Sequence, residues 1–292
     1  MRFRRLFQVR LWMLWLLLTA VCILLATYIV PSRNRYHAQH RALSALGDKV
    51  RHVAKAKAQP KWLSHFVDEE AYYDVVHLSF QGMAALVRGG RSGFNDQHMA
   101  HLSKFPKLRR LSLHSTDATE LGMHHLARLY RLETLSLEMT STGKGLSHLS
   151  RLRNLRDLNL SHCNSRGQLK HLANLRNLES LQCGSANDED LAYIASLPKL
   201  KHLTLLSVGI TERGLSAFRG HPTLERLSIT VSNESVEIVD CPNLEFLYVS
   251  CYSHDYPPLH LRNLPKLKTL DDRHVRLVEV DNVPLLQGRN PP

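Results

Sequence analysis

Residues 132–160 read LETLSLEMTSTGKGLSHLSRLRNLRDLNL, with Leu132, Leu135 and Leu137 answered by Leu155, Leu158 and Leu160. A Leu-x-x-Leu-x-Leu unit thus returns after 23 residues. The same unit precedes this stretch as Leu108, Leu111 and Leu113. It follows it as Leu178, Leu181 and Cys183; Leu200, Leu203 and Leu205; Leu224, Leu227 and Ile229; and Leu244, Leu247 and Val249. First positions are separated by 24, 23, 23, 22, 24 and 20 residues. Apolar residues alternating over so short a span mark a strand with one buried face. No such unit buries its apolar residues alone, so a fixed period of this size marks a solenoid with one continuous core.

Two more copies extend the series. Val75, Leu78 and Phe80 stand 33 residues before Leu108, and the surplus near Met83 to Gly93 is expected as a loop or added turn. Leu267 and Leu270 begin another unit, with polar Asp272 in an inward slot. The half of each unit after the strand is patterned too: Phe94-Asn95-Asp96, Ala118-Thr119-Glu120, Ala186-Asn187-Asp188 and Ile210-Thr211-Glu212 each lead into apolar residues three apart. Asn or Thr is a good N-cap and an acid suits the first helical turn. Each unit is therefore predicted as strand, turn and convex helix. From Val231 onward the helical signature is lost, which predicts an extended crossing of the convex side.

These motifs resemble leucine-rich repeats of the ribonuclease-inhibitor-like, cysteine-containing type. Leu155, Leu158, Leu160 and Cys163 match the first half of that family's unit, and Ile210-Thr211-Glu212-Arg213-Gly214-Leu215 the second. The cysteine slot is mostly filled otherwise, by Thr116, Thr140, Ala186, Val208 or Ser232. The resemblance implies an α/β solenoid with a curved parallel sheet on the concave side and short helices on the convex side. With the N-terminal segment, the chain is similar to single-span membrane-anchored repeat proteins of bacteria.

That segment is residues 11–30, LWMLWLLLTAVCILLATYIV, without a charge. Twenty residues at about 1.5 Å each span roughly the 30 Å of a bilayer core. Trp12, Trp15 and Tyr28 lie near its ends, as interfacial aromatics do, and Pro31 closes it. The apolar run exceeds a signal-peptide core and no small-x-small site follows, so an uncleaved anchor is expected. The predicted organisation is a basic tail (1–10), the anchor (11–30), a basic neck and N-terminal cap (31–74), the solenoid (75–270) and a degenerate C-terminal cap (271–292). In the neck, Tyr36 to Leu46 is read as a short amphipathic helix ended by Gly47, residues 50–60 as a flexible tether, and Trp62 and Phe66 as a cover for the open end of the solenoid.

Net charge is +12, but its placement is uneven. Residues 1–62 hold twelve Lys or Arg against Asp48 alone, and the other 230 residues hold 26 against 25 acids. A nucleic-acid binder carries its basic stripe on the folded domain, so a nucleic-acid partner is not expected. Arg10 abuts the apolar run behind a short, wholly basic tail, which favours a cytosolic N-terminus and an extracytoplasmic repeat domain.

No Gly-x-Ser-x-Gly elbow, His-Glu-x-x-His or Walker loop occurs, so neither an enzyme nor a cofactor is predicted. The pairs His98/His101 and His37/His40, and adjacent His124 and His125, lack convincing partners, so no metal is expected. Cys163 and Cys183 are read as small core residues. The concave face follows from strand alternation, and its candidate binding residues are Arg110, Ser112, Asp157, Asn159, Gln182, His202, Thr204, Arg226, Ser228, Phe246, Tyr248 and Tyr252. Phe246, Tyr248 and Tyr252 beside Arg226 form an aromatic patch of the kind that anchors protein interfaces. The expectation is a tethered module that binds an unidentified protein. The alternative is an envelope protein holding anionic lipid or polymer through residues 31–61.

Overall fold

The structure, a computed structural model, describes residue 13 and residues 15–57, 73–81, 93–206, 210–231, 235–251, 257–273 and 275–286, apart from the side chains of Asp48, Tyr73, Gln81 and Arg273. Trp62, Phe66 and the surplus at residues 83–92 lie outside them.

One helix runs from Trp15 to Leu46, long and apolar enough by length and composition to cross a membrane. It does not stop at Pro31. A π-turn at Leu25–Ile29, in which the Val30 N–H donates to the Leu25 carbonyl, precedes the proline. Pro31 then occupies the first turn of the Val30–Leu46 segment, where a missing N–H costs least. The short helix expected over Tyr36–Leu46 is the far end of this rod. Gly47, at φ 49°, ends it in a backbone region that favours glycine. Gln39, Ala42 and Leu46 are buried against the turn Ala100–Lys104 and the strand Tyr73–Gln81. Asp74, nearly buried, ties this end together, with Arg35 Nε and Lys107 Nζ each 2.8 Å from its carboxylate oxygens.

Ten strands form the main sheet, in the order β1-β2-β3-β4-β5-β6-β7-β8-β10-β12. They are β1 (His52–Lys57), β2 (Tyr73–Gln81), β3 (Arg110–His114), β4 (Thr134–Ser136), β5 (Asp157–Leu160), β6 (Ser180–Cys183), β7 (His202–Leu205), β8 (Arg226–Val231), β10 (Phe246–Cys251) and β12 (Thr269–Arg273). All pairs are parallel except β1 with β2. The stretch read as a flexible tether is thus partly an edge strand. Its lysines suit the role, because charge on an edge discourages further pairing. The sheet also passes residue 270, where the sequence placed the end of the solenoid, since β12 runs to Arg273.

Register sets the core. Leu111, Leu135, Leu158, Leu181, Leu203, Leu227, Leu247 and Leu270 are direct partners along the sheet. The first-position residues Leu108, Leu132, Leu155, Leu178, Leu200, Leu224 and Leu244 precede the strands rather than lie on them, yet all seven are fully buried. They fill the corner where the chain turns into the sheet. The inward residues of the units from Leu108 to Val249, with Cys163, are at most 2% exposed. Each buried leucine contributes about 1.5–3 kcal/mol relative to exposure.

The convex side is mostly 3-10 turns, at Ala100–Lys104, Met123–Arg128, Gly143–Arg151 and Leu169–Leu172, rather than the α-helices expected. Asp188–Ala195 is the longest α-helix of the convex side among the described residues. Repeat length is not the cause, because the Asp188–Ala195 helix lies in a unit of only 22 residues, from Leu178 to Leu200; what marks it is a first turn with three acids behind a reciprocal capping box. Asn95 and Asn187 cap as predicted, each within a reciprocal capping box. Thr211 does not: its hydroxyl donates to Asp188, 2.6 Å away in the preceding repeat, and Thr119 donates to Asp96 in the same way. Beyond Val231 the convex side is extended, as predicted. Strands β9 (Val236–Val239), β11 (Pro258–Arg262) and β13 (Arg276–Asp281) form a second, parallel sheet.

Candidate binding surface

Strand residues between the inward leucines project from the concave face in columns fixed by the same register. Ser112, Ser136, Asn159, Gln182, Thr204, Ser228, Tyr248 and Asp271 are successive partners, as are Arg110, Thr134, Asp157, Ser180, His202, Arg226, Phe246 and Thr269. The structure therefore brings the candidate residues onto one face, with Tyr252 outside the described residues.

Period, register and buried leucines together decide the class. The chain folds as a leucine-rich-repeat solenoid. Its structural neighbours include internalin C2 of Listeria monocytogenes, at 18% identity over 74% of this chain and 78% of that one, with a TM-score of 0.45. A second Listeria internalin (inlF) is 17% identical over 77% of this chain and 90% of that one, with a TM-score of 0.37. The leucine-rich-repeat ectodomain of the receptor kinase SOBIR1 from Arabidopsis thaliana is 19% identical over 59% and 92%, with a TM-score of 0.40. Likeness at this level concerns architecture alone, and the assignment rests on the period and register. No protein-family profile and no curated protein matches the chain.

The concave face of this solenoid is polar and internally bonded at its centre. His114 Nδ1 lies 3.2 Å from Glu138 Oε2, which also accepts from Asn159 Nδ2 at 3.2 Å. Asn159 Oδ1 in turn accepts the Ser161 N–H. These groups hold one another and leave little for a partner. Toward the N-terminal end, the His52 and His77 rings meet edge to face at 5.0 Å. Partial burial, then His52 and Arg110, hold the His77 pKa below its ordinary value. Toward the C-terminal end, the Arg226 guanidinium sits over the Phe246 ring at 4.6 Å from its centroid, with half-buried Tyr248 two residues along β10.

The rim carries a feature that the leucine pattern does not announce. From β3 to β8 the residue just before each strand alternates in sign, through Arg109, Glu133, Arg156, Glu179, Lys201 and Glu225, and the run breaks at Glu245, which pairs with Lys268 instead. Neighbours pair at 3.3 Å for Arg109–Glu133, 3.1 Å for Arg156–Glu179 and 3.6 Å for Lys201–Glu179. Exposed pairs contribute little each, but a slip of one repeat would set like charges together. Aligning the sequence in columns of the period exposes this ladder.

The cysteines are free thiols, four of them buried. Cys163 Sγ donates to the Leu137 carbonyl at 2.7 Å, and burial pushes the Cys241 pKa up to about 11. Both act as core side chains, since the thiolate is the reactive form. His98 Nδ1 accepts the Asn95 N–H at 3.3 Å, a capping role. No group of three or more His, Cys, Asp or Glu side chains among the described residues is placed to hold a metal ion.

Proposed function

We propose that this chain is a membrane-tethered, non-catalytic module that receives a protein partner on its concave sheet, with Arg226, Phe246 and Tyr248 as the anchor. The observation that carries the reading is the Arg226–Phe246 stack. It pre-orders a cation and an aromatic ring on neighbouring strands of a rigid sheet, so a partner finds large contact groups that lose little freedom on binding. Tyr248 offers a hydroxyl beside them. The tether is the Trp15–Leu46 helix, whose far end is packed into the solenoid rather than joined to it by slack. Of the neck cations, Arg35 is engaged by Asp74, while Lys55 and Lys57 lie exposed on the edge strand.

A photo-crosslinking amino acid placed at Ser228 in the full chain, in its native membrane, is expected to give a discrete adduct. The same group at Ala192, exposed on the convex Asp188–Ala195 helix, is expected to give none. Phe246→Ala with Tyr248→Ala should reduce the Ser228 adduct at least tenfold. Equal adducts from both positions, or an adduct indifferent to the double substitution, would remove the proposed patch.

The basic tail supports an N-terminus in the cytosol with the repeats outside. Protease added to intact cells is then expected to digest the solenoid while leaving the anchor. Protection that lasts until the membrane is permeabilised would reverse this orientation.

A further inference from the structure

The near-neutral total of the solenoid hides a division by charge on its convex side. The four 3-10 turns at residues 100–104, 123–128, 143–151 and 169–172 carry five Lys or Arg and five His, and no acid. The sign reverses at the next turn: the Asp188–Ala195 helix opens on three acids and Glu212–Leu215 on another. Of the other acids in these repeats, Asp96, Asp117 and Glu120 stand on the stretches that lead into the first two convex turns, with the Asp96 carboxylate holding Thr119, while Glu133 lies on the rim and Glu138 and Asp157 on the concave face.

The cations stand in rows. Lys104, Arg128 and Arg151 occupy one position of three successive units, 24 and 23 residues apart, and Arg153 and Arg176 form a second row 23 apart. His101, His125, His148 and His171 fill a third at the same spacing. All five Lys and Arg side chains of these rows are exposed, and none has an acid within ion-pair distance among the described residues. On the rim of the same units each arginine is matched, Arg109 by Glu133 and Arg156 by Glu179. Unmatched like charges held close repel one another and favour an anionic partner.

We propose that the convex face of these four repeats binds a linear polyanion, laid along the stacking axis so that successive phosphate or carboxylate groups meet successive cations. The geometry favours a chain over a flat surface. The rows run parallel to the stacking axis, one cation per repeat, around the outside of a curved solenoid. Neighbouring strands lie about 4.8 Å apart, so three steps cover roughly 14 Å at the sheet and more on the convex side. A flexible polymer follows such a row along its length, whereas a bilayer touches a convex surface over only part of it. The site is separate from the concave anchor, so each stands or falls alone.

The test uses the full chain in detergent micelles and long-chain inorganic polyphosphate as probe. Binding is expected at about 50 mM salt and should weaken steeply by about 200 mM. Arg128→Gln, Arg151→Gln, Arg153→Gln and Arg176→Gln together should weaken it at least tenfold and flatten the log–log salt slope by roughly three to four. Each half of that set, made as a pair, should show about half the loss on a logarithmic scale, which keeps the test available if the quadruple variant melts early. Tripolyphosphate, too short to span the rows, should compete at least tenfold less well per phosphate. Arg41→Gln, Lys55→Gln and Lys57→Gln in the neck should change affinity less than threefold. Absence of polyphosphate binding at low salt would overturn the proposal. So would binding lost with the neck variant but kept by the quadruple one. Phosphatidylglycerol vesicles captured through the four arginines, with polyphosphate unable to compete, would assign the face to a membrane and overturn it as well.

Discussion

Replacing Asp190 with alanine should lower the unfolding free energy of the solenoid by about 3 kcal/mol, a large share of the margin an ordinary domain has. Asp190 as a whole is 2% exposed. Its Oδ2 accepts the Gly167 N–H at 2.7 Å and the Asn187 N–H at 3.1 Å, and its Oδ1 the Leu169 N–H at 3.2 Å. Two of these donors belong to the preceding repeat, so the side chain bolts one convex turn to the next. Alanine removes the acceptor and leaves three donors that must find water or go unpaired, at about 1–3 kcal/mol for each left buried. Asp190→Asn keeps one acceptor oxygen and should lose about half as much. If Asp190 acted only as an acid near a helix N-terminus, the loss would be well under about 1 kcal/mol at an exposed site. Denaturant unfolding followed by far-ultraviolet circular dichroism separates the two, and a change below about 1 kcal/mol would show that the bolt is not needed.

Asp190 also shows where sequence reasoning stops. The leucine positions are legible because their signal is local: alternation over six residues, repeated at a near-constant interval, points every side chain to one side. The columns of the concave face follow from the same two facts, so the spacing alone sets Arg226 opposite Phe246. What joins one repeat to the next is not legible in this way. A rule for helix starts looks three or four residues along the chain and sees Thr211 as a cap. The hydroxyl instead finds Asp188, 23 residues back but adjacent in space. Aspartates 96, 188 and 190 look alike to such a rule, yet each receives N–H groups from another repeat.

The other differences have similarly specific causes. Pro31 usually ends a helix, and only the π-turn before it lets the rod continue. The strand at residues 52–57 has alanine and valine where a core strand would have leucine, so it lacks the apolar weight that marks the others. The convex charge rows vanish in a sum, because acids of the C-terminal repeats cancel them in the total but not in space.

Gly143→Ala should be at least as damaging, for a steric reason. A Cβ built at Gly143 lies 1.8 Å from the Asn164 carbonyl oxygen, 2.4 Å from its carbon and 3.0 Å from the Ser165 nitrogen. All three are backbone atoms of the next repeat, so no side chain can swing aside. Gly122 is a contrast of kind, since a Cβ there meets side chains and no backbone, Met99 Sδ at 2.4 Å and Asp96 Oδ1 at 2.5 Å, and relief comes by turning buried Met99 and loosening the Asp96–Thr119 bonds. To restore ordinary contact at Gly143 the two repeats must part by roughly 1 Å or more, which strips packing from the leucines on both sides; overpacking of this kind costs about 3 kcal/mol or more. In a stack whose repeats touch only their neighbours, that loss falls on a single interface. The stability of β1 to β4 with their turns is then uncoupled from that of β5 onward. Denaturant unfolding should change from one transition to two, the first at lower denaturant and with a shallower slope than wild type. Gly122→Ala should also lower the midpoint but keep one transition, because its clash is relieved by side-chain rotation without parting two backbones. A single transition for Gly143→Ala at the wild-type midpoint would mean that the repeats tolerate a gap, and that tight backbone stacking is not what makes this solenoid cooperative.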